Sequence, residues 1–160
     1  MRILVISDSH GNTRVIDKIL ASQPDAKYVF FLGDCVSDIE DFDLLYTDKK
    51  FCVVSGNCDY FSTLPSVGLE NVNSVRILYT HGHNFGVKGS VERLKNTAVE
   101  NCCQIALYGH THIANIVYDD GIYIVNPGSC SRPREGAPSY AVIDITDKGI
   151  MPFLVRCSAS

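Results

Sequence analysis

The chain has 160 residues, of which 46% are apolar and 20% are charged, and its formal net charge is -4. This length and balance are typical of one soluble globular domain with a sizeable core, so we expect a single domain over residues 1–160. The acidic charge and the absence of any Lys/Arg block argue against binding to long nucleic acid or to an anionic membrane surface. An anionic ligand, if there is one, is expected to be small.

The first apolar run precedes Asp8 and contains about five residues. It is too short for a signal-peptide core or a membrane span, so we interpret it as a strand and predict a cytoplasmic protein. The seven cysteines are odd in number and irregularly spaced, and no two form a CxxC pair. We predict that they are reduced thiols.

Short apolar runs recur along the chain, and each ends in a polar or glycine-rich cluster. They predict nine strands, at 3–7, 28–32, 51–55, 75–80, 104–108, 114–118, 122–126, 140–145 and 151–155. Apolar residues at helical spacing predict helices at 12–22 and 90–100. Strands and helices alternate in the first half and hairpins dominate the second, which predicts a mixed α/β sandwich whose first strands are parallel and later strands antiparallel. The segment 126–139 is expected to be a surface loop.

Residues that can bind a metal ion or move a proton follow the ends of five predicted strands. They are Asp8, His10, Asp34, Asn57, Asp59, His81, His83, His110 and His112. The carboxyl ends of strands are where ligands bind in open α/β sheets. A single histidine near a strand end is more often a loop or core residue. All five histidines of this chain lie in these segments, however, and that restriction favours a metal site.

Imidazole, carboxylate and amide oxygen together suit divalent manganese, iron, cobalt or zinc. Two carboxylates, one amide and up to five imidazoles are more ligands than one ion needs. They are enough for two ions about 3.5 to 4 Å apart that share one bridging carboxylate. A glycine stands next to a proposed ligand in four of the segments, where the backbone must turn sharply or approach closely.

This ordered set of motifs resembles the metallophosphoesterase (calcineurin-like phosphoesterase) superfamily, and most closely its small YfcE-like phosphodiesterase branch. The motifs are Asp8-x-His10, Gly33-Asp34, Gly56-Asn57-Cys58-Asp59, His81-x-His83 and Gly109-His110-x-His112. The resemblance covers most of the chain. It implies a metallo-dependent phosphatase-like fold, a four-layer α-β-β-α sandwich with mixed sheets.

The resemblance also implies a role for each site residue. Asp34 would bridge two ions. The first ion would be bound by Asp8, His10 and His112. The second would be bound by Asn57, His81 and His110. His83 would stand on the substrate side or behind the ligands. Arg134 matches a basic, substrate-binding position of the family, although a solvated loop explains it equally well. We expect manganese as the metal, with nickel, iron, cobalt or zinc as alternatives.

The charge of such a centre favours a phosphodiester substrate. Two divalent ions, two carboxylates and one bridging hydroxide leave a local charge of about +1, which a diester anion balances. We therefore predict hydrolysis of small phosphodiesters by attack of a metal-bridging hydroxide, with a phosphomonoesterase as an alternative.

Some relatives, including a retromer subunit, are non-catalytic protein-interaction scaffolds that have lost metal ligands. All seven ligand positions are filled here, which favours the enzyme, and the oligomeric state stays open, including a homo-oligomer.

Cys58 stands where the wider superfamily often has a histidine that protonates the leaving group or binds the phosphate. Three interpretations are open: a small filler or substrate contact that removes the general acid, a residue that assists leaving-group protonation or substrate binding, or a nucleophilic or metal-ligating thiol. Asp59 would be an orienting partner without its usual histidine, or a turn cap. A preference for good leaving groups, and for diesters over monoesters, follows from the missing imidazole.

Overall fold

Strand and helix alternate through the first third of the chain in a computed structural model that describes residues 1–158. In chain order the elements are β1 (Arg2–Ile6), α1 (Thr13–Ser22), β2 (Ala26–Phe31), α2 (Phe42–Leu45) and β3 (Lys50–Val53). The remainder consists of β4 (Val67–Val72), β5 (Val75–Thr80), α3 (Glu92–Glu100), β6 (Ile105–Leu107), β7 (Asn115–Asp119), β8 (Ile122–Asn126), β9 (Ser139–Thr146) and β10 (Gly149–Arg156). Short 3-10 turns occupy Val36–Asp38 and His83–Phe85.

Helix α1 begins at a side-chain cap and is amphipathic. The Asn12 side-chain oxygen accepts a hydrogen bond from the backbone N–H of Val15 at 3.2 Å, which satisfies one of the free donors of the first turn. Ile16, Ile19 and Leu20 are spaced three and four residues apart and are all buried. That spacing places them on one helix face, which packs on the sheet.

The described strands form two five-stranded mixed sheets, in the orders β10-β9-β1-β2-β3 and β4-β5-β6-β8-β7. In the first sheet β1, β2 and β3 pair in parallel, and β9 and β10 complete it by antiparallel pairing. In the second sheet β5, β6 and β8 are parallel, and β4 and β7 are antiparallel edge strands. The parallel strands of each sheet therefore end at a common edge, where the strand-end loops meet.

Three apolar cores separate four layers. The central core joins residues of both sheets, such as Val5 and Phe30 of the first and Ile77 and Leu107 of the second. A second core lies between α1 and the outer face of the first sheet. A third lies between α3 and the outer face of the second sheet. This order of layers confirms the predicted α-β-β-α sandwich.

The nine predicted strands and two predicted helices are present with ends shifted by up to two residues. Strand β4 was not predicted. Its six residues include Gly68 and are mostly half-buried or exposed, so neither their strand propensity nor their alternation of apolar and polar residues is strong. The single turn of α2 was not predicted either. The prediction that later strands are antiparallel is wrong for β5, β6 and β8, because chain segments long enough for a crossover separate them.

The segment 126–139 is not a surface loop throughout. Residues 126–130 are buried, because they run beneath the strand-end loops and their polar groups are hydrogen bonded there.

The seven cysteines are all free thiols. Within residues 1–158, no helix is long and apolar enough to cross a membrane. The single domain over 1–160 stays a prediction, and its last two residues lie outside the described residues.

Candidate metal centre

Five of the seven predicted ligands lie at the ends of parallel strands in an uncommon backbone conformation. Asp8, His10, Asp34, His110 and His112 have φ angles of 56°, 46°, 59°, 67° and 58°. Residues other than glycine rarely enter this left-handed region. Such strained residues cluster at functional sites, where the surrounding structure holds them in place. The loops are therefore shaped to direct these side chains toward one place.

A first donor group gathers four of the predicted ligands. One ligand atom from each of Asp8, His10, Asp34 and His112 lies within 4.8 Å of the other three. The Nε2 atoms of His10 and His112 are 3.2 Å apart, and Asp8 Oδ1 is also 3.2 Å from His112 Nε2. Donor atoms that share one ion through bonds of about 2 Å have separations of this size.

Asp8 has one satisfied and one unsatisfied carboxylate oxygen. Oδ2 accepts hydrogen bonds from the Ser7 hydroxyl at 2.6 Å and from the His110 backbone N–H at 3.1 Å. Oδ1 is buried and has no hydrogen-bond partner among residues 1–158. Burial alone would raise the pKa of Asp8, but the neighbouring imidazoles of His112 and His81 and the Ser7 hydroxyl lower it overall. The result is a buried carboxylate with one oxygen free for a cation.

Backbone carbonyls fix the tautomers of two histidines. His81 Nδ1 lies 2.6 Å from the Leu32 carbonyl oxygen, and His112 Nδ1 lies 2.8 Å from the Arg132 carbonyl oxygen. Because a carbonyl only accepts, each Nδ1 carries the hydrogen and each Nε2 of a neutral ring presents a lone pair. The His112 lone pair then faces Asp8 Oδ1. Two acceptors at that distance repel each other unless a proton or a metal ion lies between them.

A second donor group lies on the other side of Asp34. Asn57 Oδ1 is 3.0 Å from His81 Nε2, and Asp34 Oδ1 is 3.4 Å from the same nitrogen. Asp34 Oδ2 is 3.7 Å from His10 Nε2, so the two oxygens of this carboxylate face the two donor groups. The ring centroids of His110 and His81 are 5.0 Å apart. Burial, with a smaller electrostatic contribution from His81, lowers the pKa of His110 to about 4, which leaves a neutral imidazole at neutral pH.

This arrangement fits divalent metal ions. The donors are imidazole nitrogens, carboxylate oxygens and one amide oxygen. The unsatisfied Asp8 Oδ1 lies 3.2 Å from His112 Nε2, 3.9 Å from His10 Nε2 and 4.0 Å from His81 Nε2. All seven predicted ligands are brought together around Asp34. Which ion each residue binds stays a prediction.

Asp59 holds the loop that carries Asp34. Its carboxylate accepts four backbone hydrogen bonds, from Asp34 at 2.9 Å, Cys35 at 2.8 Å, Val36 at 2.9 Å and Gly56 at 2.7 Å. Asp34 and Cys35 both have positive φ angles, which these bonds help to maintain. Asp59 therefore acts through the backbone of Asp34, a more specific role than the turn cap considered from the sequence.

Cys58 is exposed beside the second donor group. Its backbone N–H donates to Asp34 Oδ1 at 3.0 Å, and its Sγ accepts from the Asn57 side-chain amide at 3.7 Å. Burial and the charge of Asp34 raise the pKa of the thiol to about 11. In the protein chain itself Cys58 is therefore a protonated thiol at neutral pH, which disfavours a nucleophilic thiolate.

The structure places His83 and Arg134 at the margins of the site. The His83 ring centroid is 5.5 Å from that of His81, and its Nδ1 is buried without a hydrogen-bond partner in the described chain. Burial, with a smaller electrostatic contribution from His81, lowers the pKa of His83. The exposed Arg134 donates its backbone N–H to the His112 carbonyl oxygen at 3.0 Å. The substrate-side roles of both residues stay predictions.

Sequence reasoning missed the residues that support the first donor group. Asp38 accepts from the Ser9 hydroxyl at 2.6 Å and from the Gly11 backbone N–H at 2.8 Å. The Ser129 hydroxyl donates to the Asp8 carbonyl oxygen at 2.7 Å, and Ser131 donates to that of Ser9 at 2.7 Å. No spacing pattern points to these contacts, because their partners lie up to 122 positions apart in the sequence.

Comparison with known proteins gives consistent matches. Residues 1–148 match the calcineurin-like phosphoesterase superfamily domain. The chain is 32% identical over 146 residues to a probable metallophosphoesterase, YsnB, of Bacillus subtilis, covering 91% of this chain and 85% of that protein. It is 27% identical over 168 residues to the phosphodiesterase YfcE of Escherichia coli, covering 90% and 88%.

Two further matches bear on function and fold. Vacuolar protein sorting-associated protein 29 of Schizosaccharomyces pombe is 33% identical over 160 residues, covering 97% of this chain and 83% of that protein. A crystal structure of a conserved Streptococcus pneumoniae protein, described as a predicted phosphoesterase, superimposes with a TM-score of 0.77 at 26% identity, covering 96% and 97% of the two chains.

Proposed function

Since the chain belongs to the calcineurin-like phosphoesterase superfamily, we propose that it is a dinuclear metal-dependent phosphodiesterase that hydrolyses small phosphodiesters. Family membership and the donor cluster support a metal-dependent hydrolase. The observation that carries the finer proposal is the position of Asp34. One of its oxygens is 3.7 Å from His10 Nε2 and the other is 3.4 Å from His81 Nε2, a position that suits a carboxylate shared between two ions.

In this proposal each ion has its own ligand set and Asp34 serves both. Asp8, His10 and His112 would hold one ion, and Asn57, His81 and His110 would hold the other. Bound divalent ions polarise phosphoryl oxygens and lower the pKa of water from 15.7 to about 7. The Leu32 and Arg132 carbonyl oxygens keep the Nδ1–H groups of His81 and His112 turned outward, so that both Nε2 atoms face the centre.

The residues of the site favour a diester with a good leaving group. Cys58 offers no imidazole beside the second donor group to protonate a leaving alkoxide. Without such a general acid, esters whose leaving group needs no proton should be hydrolysed best. The aryl oxide of an activated ester departs without a proton, so an aryl diester does not need a general acid. A diester carries one negative charge, which matches the net charge expected for a centre with two ions and two carboxylates.

A non-catalytic scaffold is the second candidate function. The 33% identity to vacuolar protein sorting-associated protein 29 favours it, because that match covers 97% of the chain. The complete set of seven potential ligands opposes it, since an interaction scaffold has no need for buried carboxylates turned toward imidazoles. The same fold can serve an enzyme or a scaffold, so the residues of the site and a measurement of activity must distinguish the two.

Hydrolysis of an activated aryl diester tests the proposal. The purified protein is loaded with Mn²⁺, and turnover of bis(p-nitrophenyl) phosphate is compared with turnover of p-nitrophenyl phosphate. We expect metal-dependent hydrolysis of the diester that exceeds hydrolysis of the monoester and disappears with a chelator. Metal-loaded protein that hydrolyses neither ester in Mn²⁺ or Ni²⁺ would favour the scaffold. Faster hydrolysis of the monoester would make the protein a phosphomonoesterase.

A further inference from the structure

A groove opens beside the candidate metal centre and shares His10 with it. Its volume is about 340 Å³, and its walls come from the start of α1 and from the segment of Ser131 and Arg132. Ligand pockets have volumes of about 300 to 1,000 Å³, so the groove is large enough for one small group. Because His10 belongs to the groove and to the first donor group, a molecule bound at the metal centre can extend into the groove.

The groove is positively charged in an acidic protein. Arg14 and Arg132 line it, and none of its lining residues is acidic. No carboxylate of the described residues lies within 4.0 Å of either guanidinium group. Asp38 contacts the same loop through Gly11, but its carboxylate is buried and already accepts two hydrogen bonds. The two guanidinium groups are therefore free to bind an anion from solution.

The positive charge continues beyond the groove. A neighbouring cavity of about 750 Å³ shares Asn12, Arg14 and Ser131 with it and adds Lys18. Helix α1 begins at Thr13, and its first turn contains no acidic residue. The N-terminus of a helix carries a positive partial charge, which adds to the field of the two arginines. The linings of both cavities thus favour negative charge, although the protein carries a net charge of -4.

Hydrogen bonds fix the groove relative to the metal ligands. The Arg132 carbonyl oxygen is 2.8 Å from His112 Nδ1, so the backbone of this arginine is attached to a proposed ligand. The Ser131 hydroxyl donates to the Ser9 carbonyl oxygen at 2.7 Å, one residue before His10. The cationic wall therefore stands at a set distance from the place where a phosphoryl group would bind.

We propose that this groove binds a second phosphate of the substrate, so that the preferred substrates are phosphodiesters with a further phosphate on the retained part of the molecule. The proposal rests on the proposed phosphodiesterase function. Arg14 and Arg132 contact the second phosphate, and guanidinium groups suit it because they donate paired hydrogen bonds to phosphate oxygens. The groove thereby selects among diesters that share the same scissile bond.

Two matched esters test this proposal. The first is the 5′-p-nitrophenyl ester of thymidine 5′-monophosphate, and the second is the 5′-p-nitrophenyl ester of thymidine 3′,5′-bisphosphate. They have the same leaving group and scissile bond and differ only in the remote phosphate. At low salt we expect kcat/KM to be about tenfold higher for the bisphosphate ester, as a charge-assisted contact would give. Equal kcat/KM values would overturn the proposal.

Variants assign that preference to the groove. In Arg14→Ala and in Arg132→Ala the ratio of the two kcat/KM values should fall to about one third or less of the wild-type ratio. Arg93→Ala is the matched control, because Arg93 is exposed on α3 in the opposite outer layer. It should keep the wild-type ratio. A preference that survives both groove substitutions would overturn the proposal.

A binding measurement separates this proposal from the phosphodiesterase function. Thymidine 3′,5′-bisphosphate and thymidine 5′-monophosphate are titrated calorimetrically into the wild type, Arg14→Ala, Arg132→Ala and Arg93→Ala. The wild type should bind the bisphosphate more tightly than the monophosphate. Arg14→Ala should lose that difference. If neither ester is hydrolysed, the phosphodiesterase proposal fails and this comparison still decides on the groove. Inorganic phosphate that binds as tightly as the bisphosphate would assign the groove to a free anion and overturn the proposal.

Discussion

Asp59 Oδ2 accepts a hydrogen bond from the backbone N–H of Asp34 at 2.9 Å, so the last residue of the Gly-Asn-Cys-Asp segment holds the carboxylate proposed to bridge the two ions. Three more backbone groups donate to the same side chain. A carboxylate can accept all four hydrogen bonds, whereas an amide has only one acceptor oxygen. The position of Asp34 therefore depends on the charge and shape of Asp59.

The first prediction concerns Asp59→Asn. We expect activity on an activated diester to fall about 10- to 100-fold, because loss of support behind a ligand weakens metal binding by such factors. The bound Mn²⁺ per chain should fall as well, which a purely structural loss in a folded protein would not cause. Asp147→Asn, in the exposed β9–β10 turn, is the matched control. Unchanged metal content in folded Asp59→Asn would contradict the positioning role.

The second prediction ranks Asp34 above Cys58. Asp34→Asn removes a charge shared by both donor groups, so turnover and metal content should both collapse, with an activity loss of about 100-fold or more. Cys58→Ala removes an exposed thiol and should change turnover by less than about tenfold. Steady-state kinetics and metal analysis of the two variants check this ranking, and the reverse order would overturn the assignment of both residues.

The third prediction uses Cys58→His to restore an imidazole beside the site. If the side chain stands where a leaving group departs, turnover of alkyl diesters should rise more than turnover of aryl diesters, since only poor leaving groups need a proton. The gain for the alkyl ester should approach the 10²- to 10⁴-fold that general acid catalysis typically supplies. The same relative change for both esters would place this side chain away from the leaving group.

The fourth prediction concerns the close packing of the two loops at Gly56. A Cβ at this position would collide with the Asp34 carboxylate and lie 2.7 Å from the Asp34 backbone nitrogen. Gly56→Ala should therefore lower the free energy of unfolding by about 1 to 3 kcal/mol, as overpacking does, and should reduce metal binding. Gly89→Ala is the control, because its Cβ would make only an ordinary contact at 3.6 Å. Thermal unfolding with and without Mn²⁺ measures both effects.

The candidate ligands could be predicted because their signal is local. Five predicted strands end one or two residues before a ligand, and parallel strands end at one edge of a sheet, so Asp8, Asp34 and His81 were expected to meet. The contacts that hold them could not be predicted in the same way. Asp38 reaches Ser9 across 29 positions and Ser129 reaches Asp8 across 121, and serine or aspartate in a loop is common without such a role.

In the fold, too, the features with a local sequence signal were predicted and those that depend on long-range contacts were not. Strands with strong apolar runs, such as 75–80, were predicted with their observed bounds. The edge strand β4 was missed, because an edge strand is only partly buried and its pattern Val-Gly-Leu-Glu-Asn-Val lacks a clear period. The buried course of 126–130 was missed because prolines, glycines and serines usually mark exposed loops. Hydrogen bonds to the strand ends and the packing of Cys130 in the second core make that segment part of the interior.

In the proposed centre Asp34 joins two metal ions. A crystal of the protein grown with Mn²⁺ and measured at the manganese absorption edge tests it most directly. We expect two anomalous peaks about 3.5 to 4 Å apart, one beside Asp8, His10 and His112 and the other beside Asn57, His81 and His110, with Asp34 between them. A single peak at full occupancy, or no peak within reach of Asp34, would contradict the two-metal phosphodiesterase.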